Sequence, residues 1–438
     1  MDCGLSPERY TEKFNMKAFE KPVLLAKAMM HGDEQKFIDI AFKEEFITTE
    51  GTNVRDVEKE MAAKMGVKYA VGLSSGTAAL HLGIRLAALK VYGTPKLGQG
   101  MLVGKKVFCS DMTFDATVNP VAYEGGEAVF IDTEYDTWNM DPEALKKAFE
   151  IYPDVKIIVI AHLYGFPAKM DEIKAIADAH GAIIVEDAAE SMLASYSSRI
   201  TGSWGADDSV GVLSTNGNKL ITGSTGGFAL VNNQEDYEKI KKWATQAREA
   251  APWYEHEELG FNYRLSNVVA GIIRAQLLHV EEHVVMKKAI YDRYKEGFKD
   301  LPVSMNPYDP KKSDPNFWLS CMLIDKDAMG EHVRSNKKAL YKHMPGKATP
   351  TEILETMAKY NAQGRPIWKP MHMQPYYINN PFITKAGNGR ARTNAYIEGG
   401  VLDVGADIYD RGLCLPTDIN MTEDEQAGVI EIVRSCFE

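Results

Sequence analysis

Three consecutive segments decide the fold: Val155–Ala161 (VKIIVIA), Asp171–His180 (DEIKAIADAH) and Ala182–Glu186 (AIIVE). Short, nearly continuous apolar runs such as the first and the third are typical of strands that are buried on both faces. The segment between them is helix-like, and Gly181 stands where such a helix would end. A strand, a helix and a second strand form a βαβ unit, which predicts a parallel α/β sheet.

Similar strand-like runs lie on both sides of this unit, at Lys106–Cys109, Glu127–Asp132 and Gly227–Val231. Together they predict a large α/β domain over residues of about 50 to 285. The Gly-rich stretch Lys90–Lys105 has no periodic pattern and predicts a surface loop.

A second, smaller domain is expected in the C-terminal part of the chain, because 438 residues are too many for one small core. The amphipathic stretch after Glu281 predicts a connecting helix. The segment Asn306–Pro315 is rich in Pro, Asp and Lys, as domain junctions often are. We therefore expect residues 1–285 to form an N-terminal segment and the large domain, and residues 286–438 to form a small α+β domain.

The composition is that of an ordinary globular enzyme, with 45% hydrophobic and 25% charged residues. The net charge of −11 disfavours nucleic acids and anionic membranes as partners. The start of the chain, MDCGLSPERYTEKF, lacks the basic and apolar regions of a signal peptide, and no apolar run has the length of a membrane helix. The five scattered cysteines include no CxxC pair, so we expect reduced thiols, no metal site and a cytoplasmic location.

Ser74-Ser75-Gly76-Thr77 stands before a clear helix, AALHLGIRLAALK. Free N–H groups at a helix start favour an anion there, although an ordinary N-cap by Ser or Thr explains the same pattern. A nucleoside-triphosphate loop is excluded because Gly104-Lys105 is followed by Lys106 instead of Ser or Thr. No GxGxxG follows a strand, which disfavours a dinucleotide enzyme.

Asp187 closes the second strand of the βαβ unit, where ligands of open α/β sheets bind. A carboxylate at this position could hold the pyridine nitrogen of pyridoxal 5′-phosphate (PLP) protonated. A solvated acidic strand end explains the residue equally well.

The polar, Gly-dense segment Ser214–Gly227 contains a single lysine, Lys219, and leads into a strand. A lysine among small residues can approach a cofactor aldehyde and attack it as a neutral amine. Composition alone nevertheless favours a flexible turn with a surface lysine. Two further segments allow two interpretations: Phe114 could stack on a flat ring or belong to the core, and Gly260–Asn267 (GFNYRLSN) could simply begin a helix.

In this order the segments resemble the DegT-type family of sugar-nucleotide aminotransferases, a branch of the aspartate-aminotransferase fold (PLP fold type I). The resemblance covers the chain from about Met30 to the C-terminus. Three segments are similar to the bacillosamine-type subgroup, which aminates a UDP-linked 4-keto-6-deoxy sugar: Asn216–Gly227, Arg365–Pro375 (RPIWKPMHMQP) and Gly412–Asp418 (GLCLPTD).

The resemblance implies a role for each of several residues. It places Lys219 at the Schiff-base position, Asp187 at the pyridine nitrogen, Phe114 on the ring, Gly76, Thr77 and Ser214 at the phosphate, Glu190 beside the cofactor, and Asn262 at the phosphate of a neighbouring subunit. The last of these implies a homodimer with shared active sites. The segment Arg365, Trp368, Lys369 and His372 is expected to contact the pyrophosphate of a nucleotide-sugar, unless it is only a Pro-rigidified packing loop.

Three departures from the family pattern leave the sugar open. Thr215 stands where family members commonly have Phe, and Thr225 stands where the subgroup often has Gly or Ser and the broader family often has Glu. The Lys90–Lys105 loop is also longer than usual. The function implied is transfer of an amino group, with L-glutamate as expected donor, to C4 of a nucleotide-linked 4-keto-6-deoxy sugar. A UDP-linked N-acetylhexosamine is the expected acceptor. The alternatives are a PLP-dependent sugar dehydratase, in which histidine replaces the lysine, and a non-catalytic sugar-nucleotide-binding relative.

Overall fold

The structure is a computed structural model that describes residues 17–334, 339–389 and 403–438. Residues 1–16 lie outside the described residues. They include Cys3 and the stretch in which we expect no signal peptide. Within the described ranges, no helix combines the length and the apolar character that crossing a membrane requires.

The helices alternate with strands through most of the chain. They are α1 Glu34–Lys43, α2 Thr52–Met65, α3 Gly76–Tyr92, α4 Asn119–Tyr123, α5 Pro142–Ile151, α6 Met170–Ala179, α7 Ser203–Asp208, α8 Gln234–Ala244, α9 Asn267–Leu277, α10 Val280–Gly297, α11 Pro350–Lys359, α12 Val404–Arg411 and α13 Glu423–Ser435.

The strands are mostly short. They are β1 Tyr69–Leu73, β2 Lys106–Ser110, β3 Glu127–Ile131, β4 Ile157–Ala161, β5 Ile183–Asp187, β6 Ser195–Tyr196, β7 Arg199–Ile200, β8 Val210–Ser214, β9 Gly227–Val231, β10 Val303–Met305, β11 Ser313–Asp314, β12 Cys321–Ile324, β13 His332–Arg334, β14 Ala339–Tyr341, β15 Arg365–Pro366, β16 Phe382–Thr384, β17 Gly387–Asn388 and β18 Gly412–Cys414.

The central sheet has the strand order β1-β9-β8-β5-β4-β2-β3-β16-β17. The strands from β8 through β16 in this order pair in parallel, whereas β9 is antiparallel to both of its neighbours. The α/β architecture and the mainly parallel sheet expected from the βαβ unit are therefore confirmed. The strands expected at the middle of the chain also occur, with ends that differ by at most two residues, and Gly227–Val231 matches at both ends.

Alternate residues of the central strands enter two different cores. Ile157 and Val159 of β4 pack on the side of α3 and α8. Ile158 and Ile160 pack on the opposite side, against α5 and α6. Because both faces of each strand are covered, the apolar run is continuous and does not alternate with polar residues.

The C-terminal part of the chain forms a further core around a small antiparallel sheet of order β10-β12-β18-β15, packed against α10, α11 and α13. The predicted domain boundary between residues 285 and 286 falls within α10. The strands β16 and β17 also return to the central sheet. The division into two domains stays a prediction.

The expected surface loop Lys90–Lys105 is corrected in two respects. Residues 90–92 continue α3, and Leu102 is fully buried. The loop is held by Glu124, whose carboxylate accepts hydrogen bonds from Arg85 Nη1 at 2.8 and 3.0 Å and from the Met101 N–H at 2.7 Å. Glu124 also bonds His81 Nε2 at 2.9 Å.

The Glu124 carboxylate is buried, with 3% of its side chain exposed. Burial alone would raise its pKa, but the bonds from His81, Met101 and Arg85 outweigh burial and lower the pKa of Glu124 to about 2. The charge on Glu124 therefore stabilises the folded state at neutral pH.

We expect Glu124→Gln to lower the free energy of unfolding by about 3–5 kcal/mol, because it leaves the buried Arg85 guanidinium without its counter-charge. Equilibrium urea denaturation measures the change. Glu150→Gln is the control, since Glu150 is 63% exposed in a surface pair with Lys147 and should cost less than about 1 kcal/mol.

The pH dependence provides a second test of the same pair. The folded pKa of Glu124 lies below its ordinary value of 4.5, so its contribution is present above pH 4.5 and is lost as the pH falls towards 2. The Gln variant should lack this part of the acid sensitivity. Equal losses in the Glu124 and Glu150 variants would contradict the assignment.

Candidate active site

The strands β1, β2, β4, β5 and β8 run in the same direction, so their carboxyl ends meet at one edge of the sheet. A cavity of about 310 Å³ opens there. Most of the residues expected at the cofactor line it: Gly76, Thr77, Phe114, Asp187, Glu190, Ser214 and Lys219, together with Trp368 from the expected substrate segment.

Lys219 lies in the loop 215–226, which joins the antiparallel strands β8 and β9. The Thr215 N–H donates to Gly226 O at 3.0 Å, and the Gly223 N–H donates to Thr215 O at 2.9 Å. Thr215 itself is fully buried. The loop is thus closed by its own hydrogen bonds, and the surface turn favoured by composition is not what the structure shows: the side chain of Lys219 is only 13% exposed.

The amine of Lys219 has two neighbours that position it. Its Nζ donates to Glu190 Oε1 at 3.3 Å and lies 4.2 Å from the centre of the Trp318 ring. Trp318 is held in turn, because its Nε1–H donates to Asn218 O at 2.8 Å. An ion pair and a cation–π contact therefore fix the amine inside the cavity.

Glu190 is held from its other side by backbone. Its Oε2 accepts the Tyr164 N–H at 2.7 Å, and its carbonyl oxygen accepts from Asn316 Nδ2 at 2.9 Å. Tyr164 has φ 57°, in the left-handed region that non-glycine residues rarely adopt. Burial raises the pKa of Glu190, and the charge of Lys219 acts in the opposite direction.

Asp187 stands at the carboxyl end of β5 and is 7% exposed. Its Oδ2 accepts from Thr117 Oγ1 at 2.7 Å and its Oδ1 accepts the Ala189 N–H at 3.0 Å. Burial raises the pKa of Asp187, and these two hydrogen bonds only partly oppose that effect. A nearby cation or a protonated ring nitrogen would therefore favour its ionised form.

The start of α3 forms a cradle for an anion. Ser75 is the N-cap, and its Oγ accepts the Ala78 N–H at 3.0 Å, so the first N–H groups of the helix are left for a ligand. A Cβ on Gly76 would come within 2.9 Å of Ser214 Cβ. Glycine at position 76 thus lets the hydroxyl-bearing strand end at Ser214 approach the helix start.

Aromatic rings form one wall of the cavity. Phe114 is 55% exposed and lies 5.3 Å from Trp368, measured between ring centres. The Trp368 ring contacts Tyr164 edge to face at 5.4 Å, and the backbone N–H of Trp368 donates to Tyr164 Oη at 2.9 Å. A flat ligand in the cavity would face this wall through Phe114.

A second, wider cavity of about 840 Å³ adjoins the first and shares Thr113, Phe114 and Trp368 with it. Lys369 also lines this cavity, and burial lowers the pKa of its amine. The remaining lining is mixed aromatic and polar and includes Asn119, Tyr123, Gln374, Tyr376 and Tyr377. Trp368 and Lys369 thus lie where a ligand could extend from the first cavity.

The structure does not bring His372 to either cavity. Its Nδ1 lies 2.7 Å from Asp111 Oδ2, its Nε2 lies 3.0 Å from Asp403 Oδ2, and its ring stacks on Phe382. Burial disfavours the charged ring, but the two carboxylates outweigh burial and raise the pKa of His372 to about 10. This fully buried, doubly paired side chain packs in the core, which corrects the expected substrate contact.

Arg365 and Asn262 also lie outside the lining of both cavities. Arg365 is exposed on β15, and its guanidinium donates to Gly364 O, so its expected contact with the substrate stays a prediction. Asn262 is exposed as well. Its expected role concerns a neighbouring subunit and stays a prediction.

Sequence reasoning missed several residues of the site. His162 directly follows β4, a position that could have identified it, and its Nε2–H donates to Glu186 Oε1 at 2.8 Å while Nδ1 accepts the Ala168 N–H. Thr117 and Tyr164 contact Asp187 and Glu190, respectively. Trp318 comes from a segment next to the expected domain junction, where no local pattern indicates a site.

Residues 29–434 match the sequence model of the DegT/DnrJ/EryC1/StrS aminotransferase family. Among similar proteins, EpsN of Bacillus subtilis (strain 168), named for a pyridoxal phosphate-dependent aminotransferase activity, is 37% identical over 95% of this chain and 96% of its own length. GDP-perosamine synthase of Escherichia coli O157:H7 is 27% identical over 79% of this chain and 84% of its own.

The fold is also found in solved structures. The crystal structure of DesI, determined in the presence of its TDP-sugar product, superposes with a TM-score of 0.77 at 21% identity and covers 96% of this chain and 94% of DesI. An aminotransferase of Brucella abortus from the same family superposes with a TM-score of 0.74 at 23% identity, covering 92% of this chain and 95% of its own.

Proposed function

This chain belongs to the DegT/DnrJ/EryC1/StrS aminotransferase family, whose members depend on PLP, and we propose that Lys219 carries the cofactor and moves the proton of the reaction. The observation that carries this assignment is the place of the Lys219 amine. It lies in the same cavity as the buried Asp187 carboxylate and the open start of α3.

The donor set of this cavity fits the parts of PLP. The N–H groups at Gly76 and Thr77, with the hydroxyl of Ser214, suit a phosphate. The Asp187 carboxylate suits a protonated pyridine nitrogen, and the exposed Phe114 ring suits the face of a flat heteroaromatic group. Lys219 offers the amine that an aldehyde requires.

When bound, the cofactor supplies an electron-poor ring that accepts the electrons released when the Cα–H bond of the amino donor breaks. Asp187 maintains that capacity by keeping the ring nitrogen protonated. With the cofactor bound, the Lys219 amine would take the proton from Cα of the amino donor and deliver it to the C4′ carbon of the cofactor, as a general base within hydrogen-bond reach can do. Glu190, 3.3 Å from Nζ, is proposed to hold the amine on this side of the cavity.

For the substrate we propose L-glutamate as amino donor and C4 of a UDP-linked 4-keto-6-deoxy N-acetylhexosamine as acceptor. The wider cavity beside Trp368 and Lys369 supports an acceptor with a nucleotide, since its volume is in the range of drug-sized and larger ligands. Lys369 and the aromatic lining suit a pyrophosphate and a base. The resemblance of Asn216–Gly227, Arg365–Pro375 and Gly412–Asp418 to the bacillosamine-type subgroup supports UDP.

We also propose a homodimer in which Asn262 reaches the cavity of the other subunit. Trp253, Tyr254 and Leu259 precede Asn262 in the chain and are 65%, 78% and 65% exposed. Large apolar side chains that are exposed together in one segment are common at protein interfaces.

A dehydratase is the second candidate, and position 219 discriminates the two. In the dehydratase branch that the family resemblance includes, histidine replaces this lysine. Here the lysine is present, and its amine lies inside the cavity. A non-catalytic relative would have no need of the positioned amine or of the buried Asp187 carboxylate.

We expect Lys219→Ala to abolish the visible, borohydride-reducible absorbance of the cofactor and to lower transamination by at least about 10³-fold. Lys219→Arg is the matched variant, because it keeps a cation for Glu190 and Trp318 but no nucleophilic amine, and it should be equally inactive. Lys156→Arg, on the surface, is the control. Full turnover in either Lys219 variant would end the hypothesis.

Asp187→Asn should keep the shape and the acceptor for Thr117 but remove the negative charge at the ring nitrogen. We expect the rate to fall by about 10²–10⁴-fold while Lys219 still binds the cofactor, which absorbance and single-turnover kinetics measure together. Asp141→Asn is the control, since this buried N-cap carboxylate of α5 lies elsewhere and Asn also caps helices well. A rate within a few-fold of wild type would contradict the role of Asp187.

The acceptor is tested with a panel of UDP-, TDP- and GDP-linked 4-keto-6-deoxy sugars, with glutamate as donor and mass spectrometry as readout. Trp368→Ala should raise KM for the nucleotide-sugar by about 10–100-fold, because a large contact surface is lost. KM for glutamate should change little and serves as the internal control. Preference for TDP or GDP sugars would overturn the UDP assignment but leave the aminotransferase assignment intact.

A further inference from the structure

Three histidines from two distant parts of the chain meet beside the start of α10. His31 precedes α1, whereas His279 and His283 belong to the sequence His279–His283 (HVEEH) at the start of α10. Nε2 of His31 lies 2.8 Å from Nε2 of His283. The rings of His31 and His279 stack with their centres 3.7 Å apart.

The orientation of His283 is fixed by the backbone. Its Nδ1–H donates to Leu220 O at 2.8 Å, so its Nε2 presents a lone pair towards His31. Histidines that ligate metals almost always donate their other ring N–H to a carbonyl or a carboxylate in this way. His283 is 1% exposed, so this arrangement is a built part of the interior.

Carboxylates complete the cluster. Glu282 Oε2 lies 3.3 Å from His279 Nδ1, and Asp33 Oδ2 lies 3.2 Å from His279 Nε2. The ligand atoms of His31, His279 and Glu282 all lie within 4.8 Å of one another. Around tetrahedral zinc, with bonds of about 2.0–2.1 Å, neighbouring ligand atoms are about 3.3 Å apart, so side-chain rotations that bring the ligand atoms of these three residues closer by up to about 1.5 Å would suffice for them.

We propose that His31, His279 and Glu282 form a binding site for a divalent transition-metal ion such as Zn²⁺, with His283, whose Nε2 lies 2.8 Å from that of His31, placed to add a further ligand. Imidazole nitrogens with one carboxylate are a donor set that zinc binds in proteins. The ion replaces the proton shared between His31 and His283. His279 and Glu282 are partly exposed, with 22% and 68% of their side chains accessible, which gives the ion a path of entry.

The residues of the proposed metal site line neither cavity, but a hydrogen bond links His283 to the loop that contains Lys219. His283 holds the carbonyl of Leu220, the residue that follows Lys219. A bound ion would therefore tie His31, α10 and the loop of Lys219 together. The inference does not depend on the proposed aminotransferase chemistry.

The test uses the full-length protein, stripped with EDTA and titrated with Zn²⁺ by isothermal calorimetry, with thermal denaturation in parallel. We expect saturable binding of about one ion per chain and a rise in Tm, because a ligand that binds the folded state stabilises it. His31→Ala and Glu282→Gln should each weaken binding by at least about 10-fold. Glu282→Gln serves as the second variant because its exposed side chain can change without unfolding the protein.

Two controls separate this site from adventitious binding. His256→Ala, on an exposed loop, should bind Zn²⁺ as wild type does. Lys219→Arg should also bind it unchanged, since the ion does not need the cofactor amine. Absence of saturable binding, or equal binding in wild type, His31→Ala and Glu282→Gln, would overturn the proposal.

Discussion

A parallel sheet that is covered by helices on both faces leaves its strand ends as the place where polar side chains can gather. The strands β2, β4 and β5 have apolar side chains on both faces because α3 and α8 cover one face and α5 and α6 cover the other. In β8 the second face packs against α2, α7 and α9 instead. The carboxyl ends of all four strands lie at the same edge, and the polar residues that follow each strand are brought together there. The cavity, with Asp187, Ser214 and Lys219, is a consequence of this constraint.

Charge balance at that edge connects the fold to the chemistry. Asp187 and Glu190 are both buried, and burial raises the pKa of each. The single nearby amine of Lys219 contacts Glu190 directly, which leaves Asp187 with neutral donors from Thr117 and Ala189. In the proposed function, a protonated pyridine nitrogen would give Asp187 the direct cationic partner that Glu190 has in Lys219.

Histidines serve different purposes in different surroundings of the same molecule. Between Asp111 and Asp403, His372 is held as a buried cation, and its pKa is raised to about 10. In the cluster with His31, burial instead lowers the pKa of His283. The charges of neighbouring His31, Lys287 and His279 act in the same direction, whereas the hydrogen bond to the Leu220 carbonyl opposes them. A neutral imidazole is a metal ligand, whereas a paired imidazolium is a structural cross-link.

Much of the architecture was predictable from the sequence alone, because it depends on local patterns. The apolar runs at Val155–Ala161 and Ala182–Glu186 predicted β4 and β5, and the carboxyl end of β5 made Asp187 a candidate, although a solvated strand end explained it equally well. The lysine was different: composition favoured a surface turn, and only the family resemblance assigned it a function. Tertiary structure decided that the loop is closed and that Glu190 and Trp318 hold the amine.

Tertiary structure also decided which distant residues meet. His31 and His283 are 252 residues apart in the chain yet lie within hydrogen-bond distance. His372 was expected at a ligand, and packing instead placed it in the core, whereas Arg365 lies at the surface. Local periodicity determines which face of a strand or helix is buried. It contains no information on which segments far along the chain will cover that face, so burial, pairing and pKa shifts follow only from the folded structure.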